Sequence, residues 1–294
     1  MKKYKCSIDN AIILAAGYSS RFVPVCFDLP KGLLPVRGNT LIERQIRQLK
    51  ERHIHNIYVI TGAHNEKFNF LKDKYGIEII FNPDYATKNN FSSVYAARHI
   101  LANSIITSCD LFFPSNIFQN FIDYPYYAAV YCEGKTDQRV LTLDQHDKII
   151  KTRYGGKNAW ITFGGHACFT KEISQKIIRY MAQEYDNPAS ANKYWVDFQD
   201  EHLSELPMHI KRLSFNDIIE FNSIQALRQF DASFRVANIS PTMKYLCTKL
   251  KAEDECELES FEPLKNENEI MGCTFVFRGK AYQYNNHNKF LQQI

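Results

Sequence analysis

The sequence predicts an α/β protein, a mainly parallel sheet flanked by helices, with a smaller antiparallel subregion and a short C-terminal appendage. Three observations predict it. Short apolar runs alternate with amphipathic helical segments through the first half of the chain, the pattern of strand–helix–strand units. The runs are apolar at successive positions, as strands buried on both faces are. The second half then turns to closely spaced β segments with hairpin-type connections. Together these describe a Rossmann-like arrangement, and 294 residues leave room for one large domain with a small addition.

The elements follow in order. Residues 11–16 (AIILAA) read as a buried strand, and residues 40–53 as an amphipathic helix with Leu41, Ile42, Ile46 and Leu49 on one face. Residues 56–61 (NIYVIT) are the next strand and 65–74 the second helix. Strand 77–81 (IEIIF), helix 91–101 and strand 104–108 (SIITS) complete the alternation. Sheets of this kind bind ligands beyond the carboxyl ends of their strands, so the loops after residues 16, 81 and 108 are expected to meet at one site. Residues 127–131 (YAAVY), 139–143 (RVLTL) and 159–169 (AWITFGGHACF) read as strands, 172–184 as a helix, 218–221 as a last strand and 224–230 as a helix. This region is read as an insertion that completes an acceptor pocket. After Asp231 the pattern weakens: 238–250 reads as a helix, 252–264 as acidic and turn-like, and 273–284 (CTFVFRGKAYQY) as a β-hairpin about Arg278-Gly279. We divide the chain into a domain of residues 1–232 and an extension of residues 233–294.

Composition excludes several classes. Apolar residues at 45% and charged residues at 23% describe a folded chain. The net charge of +4 is spread without a run of five basic residues, which suits a small anionic substrate and argues against nucleic acid. None of the eight cysteines forms a C-x-x-C pair, so they read as reduced thiols in a cytoplasmic protein. The apolar stretch after the basic start MKKYK is too short for a secretory signal, and no window approaches the roughly 18 apolar residues of a membrane span.

The strand at 11–16 runs into Gly17-Tyr18-Ser19-Ser20-Arg21, with Pro30-Lys31-Gly32-Leu33-Leu34-Pro35-Val36 soon after. A glycine after a buried strand lets backbone approach a ligand, and successive N–H groups can cradle phosphate oxygens. Arg21 and Lys31 add two cations, as a triphosphate with an accumulating leaving-group charge requires. A dinucleotide loop needs G-x-G-x-x-G and a Walker loop needs G-x-x-x-x-G-K-[ST]; neither is present.

The segments AIILAAGYSSRF and LPKGLLPVRGNTLIERQIRQL resemble the signature of the nucleotidyltransferases that make nucleotide sugars and their relatives. Within that superfamily the chain is most similar to bacterial CTP:phosphocholine cytidylyltransferases, through FNPDYATKNNFSSVYAARHILANS, NKYWVDF and IIEFNSIQALRQF, over about residues 10–231. The resemblance implies that Leu14, Ala15, Ala16, Gly17, Tyr18 and Ser19 face the nucleotide, that Lys31 and Arg21 act catalytically on its phosphates, and that Asn90 and Ser92 lie on the loop that reads the base. It implies CTP and a small phosphorylated acceptor as partners, Mg²⁺ as cofactor, and is compatible with a homo-oligomer. Asp110, after the strand SIITS, fits the first metal ligand. The second position holds Asn222 where the phosphocholine enzymes carry Asp, with Glu220 as the fallback and a helix cap as the competing role.

On the acceptor side, Tyr194, Trp195 and Asp197 match the segment that lines the choline pocket in those enzymes. Aromatic faces attract a quaternary ammonium, and a carboxylate adds charge. Arg139 stands near where an aromatic is expected, and its guanidinium would repel trimethylammonium but suit a carboxylate or second phosphate. His166 is a further candidate, with a structural histidine as the competing reading. The acceptor is therefore phosphocholine-like, or else an amino-acid phosphate, 2-aminoethylphosphonate or a sugar phosphate. A non-catalytic nucleotide sensor is the other class. The tail (SPTMKYL, FEPLK, MGCTFVFRGKAYQY) resembles the start of a choline-kinase-type N-lobe, but no H-x-D loop follows it, and kinase activity is not expected.

Overall fold

The first apolar run is β1 (Asn10–Ala15), with every residue buried, in the computed structural model, which describes residues 5–163, 165–232, 234, 239–266 and 269–294. Residues 1–4 of the basic start, Gly164 of the expected strand 159–169, and Ser233, residues 235–237 and Asn238 at the head of the expected extension and its helix lie outside these. By contacts the chain divides into two compact units, Met1–Ala16 with Arg44–Glu220 and Gly17–Glu43 with Phe221–Ile294. The C-terminal segment thus shares a unit with the loop read as the phosphate cradle, a grouping that a division at 232/233 does not draw.

The sheet of the first unit contains β1, β2 (Ile57–Thr61), β3 (Glu78–Phe81), β4 (Ser104–Ser108), β5 (Tyr126–Leu143), β6 (Ile149–Thr162), β7 (His166–Phe169) and β8 (His209–Leu213). Its order is β6-β5-β7-β4-β1-β2-β3, with β8 added to β5. Pairing is parallel from β4 through β1 and β2 to β3, and antiparallel from β4 to β7 to β5 to β6. The parallel half and the antiparallel subregion are those the sequence predicts. One core cluster includes Ile12, Ile60 and Ile106 from the strands with Phe91, Ile173, Ile177, Trp195 and Phe198 from the helices.

Helices α1 (Leu41–Glu51), α2 (Phe70–Tyr75), α3 (Phe91–Ala96), α4 (Lys171–Glu184) and α5 (Trp195–Glu201) alternate with these strands. The expected apolar face of α1 is fully buried at Leu41, Ile42, Ile46 and Leu49. The second helix splits into a 3-10 turn at Asn65–Phe68 and α2, which ends on Gly76 at φ 60°. The third stops at Ala96, where i→i+3 hydrogen bonds such as Arg98 N–H to Tyr95 C=O tighten the chain.

Two expectations change. Residues 127–131 and 139–143 belong to the single long β5, whose middle stretch alternates exposed and half-buried residues against β6. With no buried face there, the polar ribbon carries no apolar signature. In the second unit, residues 252–264 are not simply turn-like: β9 (Leu258–Lys265) starts on the fully buried Leu258 and sets Phe261 against Phe275, ring centroids 5.2 Å apart. It leads an antiparallel sheet, β9-β10-β11-β12, with β10 (Ile270–Phe277), β11 (Lys280–Asn285) and β12 (Phe290–Gln293). The expected hairpin turns at Arg278 and Gly279, both at positive φ, the two-residue geometry that suits strand twist. Helices α6 (Ile224–Phe230) and α7 (Pro241–Leu250) precede this sheet.

Gly62, just past β2, marks a close approach. A Cβ there would lie 2.5 Å from the Tyr85 Cβ and 2.6 Å from the Ala16 carbonyl oxygen. Gly62→Ala should therefore cost about 1–3 kcal/mol through overpacking, read as a thermal midpoint about 2–4 °C lower per kcal/mol. An unchanged midpoint would mean that the loop yields freely.

Candidate active site

The four parallel strands deliver their carboxyl ends to one edge of the first unit. There the Leu14 carbonyl accepts from Cys109 N–H at 3.0 Å, the Ala16 carbonyl from Ala63 N–H at 3.0 Å, and the Thr61 carbonyl from Asn82 N–H at 2.8 Å. The loops after residues 16, 81 and 108 do begin together. Leu14, Ala15 and Ala16 are almost fully buried at this edge.

The buried Gln45 of α1 fixes the turn that carries Asp110. Its amide NH₂ donates to the Ser108 and Leu111 carbonyls, each at 2.8 Å, and its oxygen accepts from Thr107 Oγ1 at 3.0 Å. Asp110 is half-buried between these anchors. In a two-residue ribbon, Ile219–Glu220 pairs with Leu111–Phe112, and Glu220 lies opposite Leu111, the neighbour of Asp110. Among the described residues no three His, Cys, Asp or Glu side chains are grouped to hold a metal by themselves. A hard cation carried by a triphosphate needs only one or two protein oxygens, and the Asp110 carboxylate with a register-neighbouring Glu220 fits that donor set.

In the second unit, Gly17 is exposed and a Cβ on it would meet open space. Tyr18 is half-buried and Ser19 adopts the left-handed conformation at φ 56°. The Ser19 hydroxyl accepts from Lys31 N–H at 3.3 Å, which ties the two parts of this loop together. Lys31 is only 6% exposed and its ammonium lies 4.8 Å from the centroid of the Phe22 ring, so the cation is turned inward. Arg21 is exposed on the short turn Ser20–Phe22. Asn222 is half-buried, and the cap of α6 is Ser223, whose hydroxyl accepts from Ala226 N–H at 3.1 Å. Helix capping therefore does not account for Asn222.

Asn90 and the acceptor-side residues lie together in the first unit. The Asn90 side chain makes no cap to α3; its oxygen accepts from Trp195 N–H at 2.9 Å. Ser92 is fully buried, donates to the Asn89 carbonyl at 2.8 Å and accepts from the Asn82 amide at 2.8 Å, so its hydroxyl is occupied in shaping this loop. Trp195 packs in the core against Tyr127 and Phe169, whereas Tyr194 is 47% exposed. Asp197 accepts from Tyr194 N–H at 3.2 Å and from the hydroxyl of the exposed Tyr154 at 3.0 Å. The buried Arg139 guanidinium pairs with Asp200 and lies 3.7 Å from Asp197, while also donating to the Val196 carbonyl at 2.7 Å. One guanidinium between two carboxylates leaves a net negative charge, so Arg139 does not repel a cation here as its sequence position suggests.

His166 does not join this cluster. It is 1% exposed on β7, ringed by Phe113, Phe118 and Tyr126, and neither ring nitrogen has a hydrogen-bond partner among the described residues. Burial, aided by the Lys211 charge, pushes it down to about 3, so the ring is neutral.

Sequence reading missed Gln45, Asn82, Tyr154 and Asp200. Asn82 had a signal, the N-P-D turn after IEIIF. Gln45 and Gln48 had a weaker one, amides on a helix whose neighbours are core residues; Gln48 donates to the Phe113 carbonyl at 2.9 Å. Tyr154 and Asp200 had none, because their partners, Asp197 and Arg139 respectively, lie in distant segments of the chain.

A profile of the MobA-like NTP transferase domain matches residues 11–202, and the chain belongs to that family of nucleotidyltransferases. It is 32% identical over 229 residues to a choline-phosphate cytidylyltransferase of Streptococcus pneumoniae, covering 78% of this chain and 100% of that protein. It is 29% identical to a 2-aminoethylphosphonate cytidylyltransferase of Lancefieldella rimae, over 76% of this chain and 93% of the relative. The solved structure of the S. pneumoniae CTP:phosphocholine cytidylyltransferase superposes with a TM-score of 0.72 at 33% identity, over 76% of this chain and 97% of that one. Among the described residues no helix is long and apolar enough to cross a membrane.

The depressed His166 gives a pH signature. Its folded value of about 3 lies below the ordinary 6.5, so the unfolded chain binds the extra proton and stability falls as pH drops through that window. Between pH 7 and pH 5 this one group should cost about 2 kcal/mol. Urea denaturation of wild type and His166→Phe at both pH values tests this; equal pH dependence in the two proteins would exclude His166 as the source.

Proposed function

We propose that the protein is a magnesium-dependent cytidylyltransferase of the cytoplasm that transfers CMP from CTP to phosphocholine, or to a similar small phosphate or phosphonate bearing a cationic group, and releases pyrophosphate. The observation that carries the acceptor class is the net-negative cluster of Arg139, Asp197 and Asp200 beside the exposed rings of Tyr154 and Tyr194. It suits an ammonium group by charge and by cation–π attraction, worth about 0.5–2 kcal/mol for each ring. The two relatives above support the same class, because choline phosphate and 2-aminoethylphosphonate both pair a phosphorus oxyanion with an ammonium.

In the proposed reaction an oxygen of the acceptor phosphate attacks the α-phosphorus of CTP as the bond to the bridging oxygen of pyrophosphate breaks. The attacking oxygen is already ionised near neutral pH, so no general base is required. Gly17, Tyr18 and Ser19 offer backbone to the triphosphate, while Lys31 and Arg21 neutralise the charge that accumulates on the leaving group. Asp110, with Glu220, would hold a magnesium ion whose charge adds to that neutralisation. The Asn90 NH₂, its oxygen being committed to Trp195, would donate to the acceptor edge of cytosine.

A pyrophosphate-release assay crossing four nucleoside triphosphates with phosphocholine, 2-aminoethylphosphonate, an amino-acid phosphate and a sugar phosphate tests this reading. Release is expected with CTP and an ammonium-bearing acceptor. Release with the sugar phosphate alone would overturn the acceptor class, and silence across the grid would favour a nucleotide sensor. Lys31→Ala should lower kcat by about 100-fold or more, as loss of one stabilising group does; near-normal turnover would remove Lys31 from the mechanism. Tyr194→Ala should raise the acceptor KM by about 2- to 30-fold with the CTP KM unchanged, and an unaltered acceptor KM would take Tyr194 out of the pocket.

A further inference from the structure

The loop Gly17–Thr40 has little regular structure of its own: three 3-10 turns and a two-strand ribbon of two residues each. Within the second unit the C-terminal segment grips it in several places. The turn Ser20–Phe22 packs on β9. Phe27 lies against the buried Tyr284 of β11, ring centroids 6.3 Å apart. The Arg37 N–H donates to Asp231 at 2.7 Å, and the Arg37 guanidinium lies 4.2 Å from the centroid of the Phe230 ring.

The most specific grip is at Asp28. Its Oδ2 accepts from Ser240 Oγ at 2.7 Å and from Thr242 N–H at 2.8 Å, and its Oδ1 accepts from Thr242 Oγ1 at 3.2 Å. Ser240 and Thr242 are both buried, and Ser240 is itself the cap of α7, accepting from Met243 N–H at 3.1 Å. Asp28 therefore places a carboxylate on the N-terminal turn of a ten-residue helix, where backbone donors and the helix dipole favour negative charge. Only Leu29 and Pro30 separate Asp28 from Lys31. That link is stiff: Leu29 N–H donates to the Val25 carbonyl at 3.0 Å, and Pro30 holds φ at −66°.

We infer that Asp28 is a positioning residue for nucleotidyl transfer, and that the C-terminal segment serves the reaction by holding the Lys31 loop through the N-terminus of α7. This inference rests on the phosphate role of Lys31 proposed above. A carboxylate clamped by three donors sets where the Lys31 backbone begins, and a misplacement of about 1 Å in a charge-stabilising group can cost about 100-fold in rate. The family match ends at residue 202, so the clamp joins a loop inside the matched region to a segment beyond it.

The test uses the full chain with CTP and phosphocholine, below the melting temperature of every variant. Asp28→Ala should lower kcat by about 10-fold or more and raise the CTP KM, with the phosphocholine KM unchanged. Asp28→Asn, which keeps one acceptor oxygen, should recover most of the loss. The double variant Asp28→Ala/Lys31→Ala should be no slower than Lys31→Ala alone, because Asp28 acts through Lys31. Multiplicative losses in the double variant, or normal kinetics in Asp28→Ala while Lys31→Ala is slow, would overturn the positioning role and leave the site assignment standing. Normal turnover in Lys31→Ala would overturn both. Should Asp28→Ala not fold, Ser240→Ala removes one donor from the other side; a smaller fall in kcat with the same KM pattern supports the clamp, and unchanged kinetics overturns it.

Discussion

β1 is paired on both edges and covered on both faces, so the backbone groups within the strand are satisfied and the chain can turn outward only at its end. That constraint sets where the neighbouring loops of the first unit begin. β2 and β4 run parallel to β1 in fixed register, and hydrogen bonds at the strand ends join Leu14 to Cys109 and Ala16 to Ala63. A slip of one residue in β1 would reverse its inward and outward side chains and move the Asp110 turn with it. The buried Gln45 extends the same logic by consuming two carbonyls that flank Asp110. An unpaired carbonyl there would cost about 1–3 kcal/mol, so the turn is held from the helix side as well as from the sheet.

The acceptor side follows a different rule, that of charge pairing away from water. A buried arginine is tolerable only with partners, and Arg139 has Asp200 and Asp197. Taken by itself, the arginine suggests an anionic ligand group; taken with both aspartates, it belongs to an array with a negative remainder. The same array ties α5 to β5, and Tyr154 of β6 closes it through Asp197. The residues proposed to select the acceptor's charge are thus also residues that hold the antiparallel subregion to its helix.

The parallel half of the fold was legible because strands buried on both faces advertise themselves as unbroken apolar runs, as in AIILAA and SIITS. The loop proposed as the cradle could be read as one piece because Gly17, Ser19, Arg21 and Lys31 fall within a short stretch of chain. The middle of β5 was not, since a ribbon solvated on both faces has no apolar period. Arg139 and Trp195 were visible as residues but not as roles, because burial and partner choice are settled by segments far apart in the chain. His166 shows the same limit from the other side. Next to two glycines it could be read as a pocket residue or as a structural one, and the packing of Phe113, Phe118 and Tyr126 encloses it.

A loop that must grip a triphosphate faces opposed demands. It needs backbone N–H groups and cations that are not consumed by a helix or a sheet, yet charge stabilisation requires that they be held in place before the ligand arrives. In the role proposed for it, the stretch Gly17–Thr40 meets the first demand by having almost no regular structure, and so cannot meet the second from its own hydrogen bonds. Its rigidity must come from packing against something with a core. In this chain the second unit supplies one, built around Met243, Leu246, Cys273, Phe275 and Tyr284. Burial pushes the Cys273 thiol up to about 12 and raises the Cys26 thiol of the loop as well, with Cys273 as a further contributor to the latter. The loop is therefore part of that core rather than a cover over it. A segment with no catalytic motif can in this way matter to catalysis, as the fixed body against which an irregular loop is held.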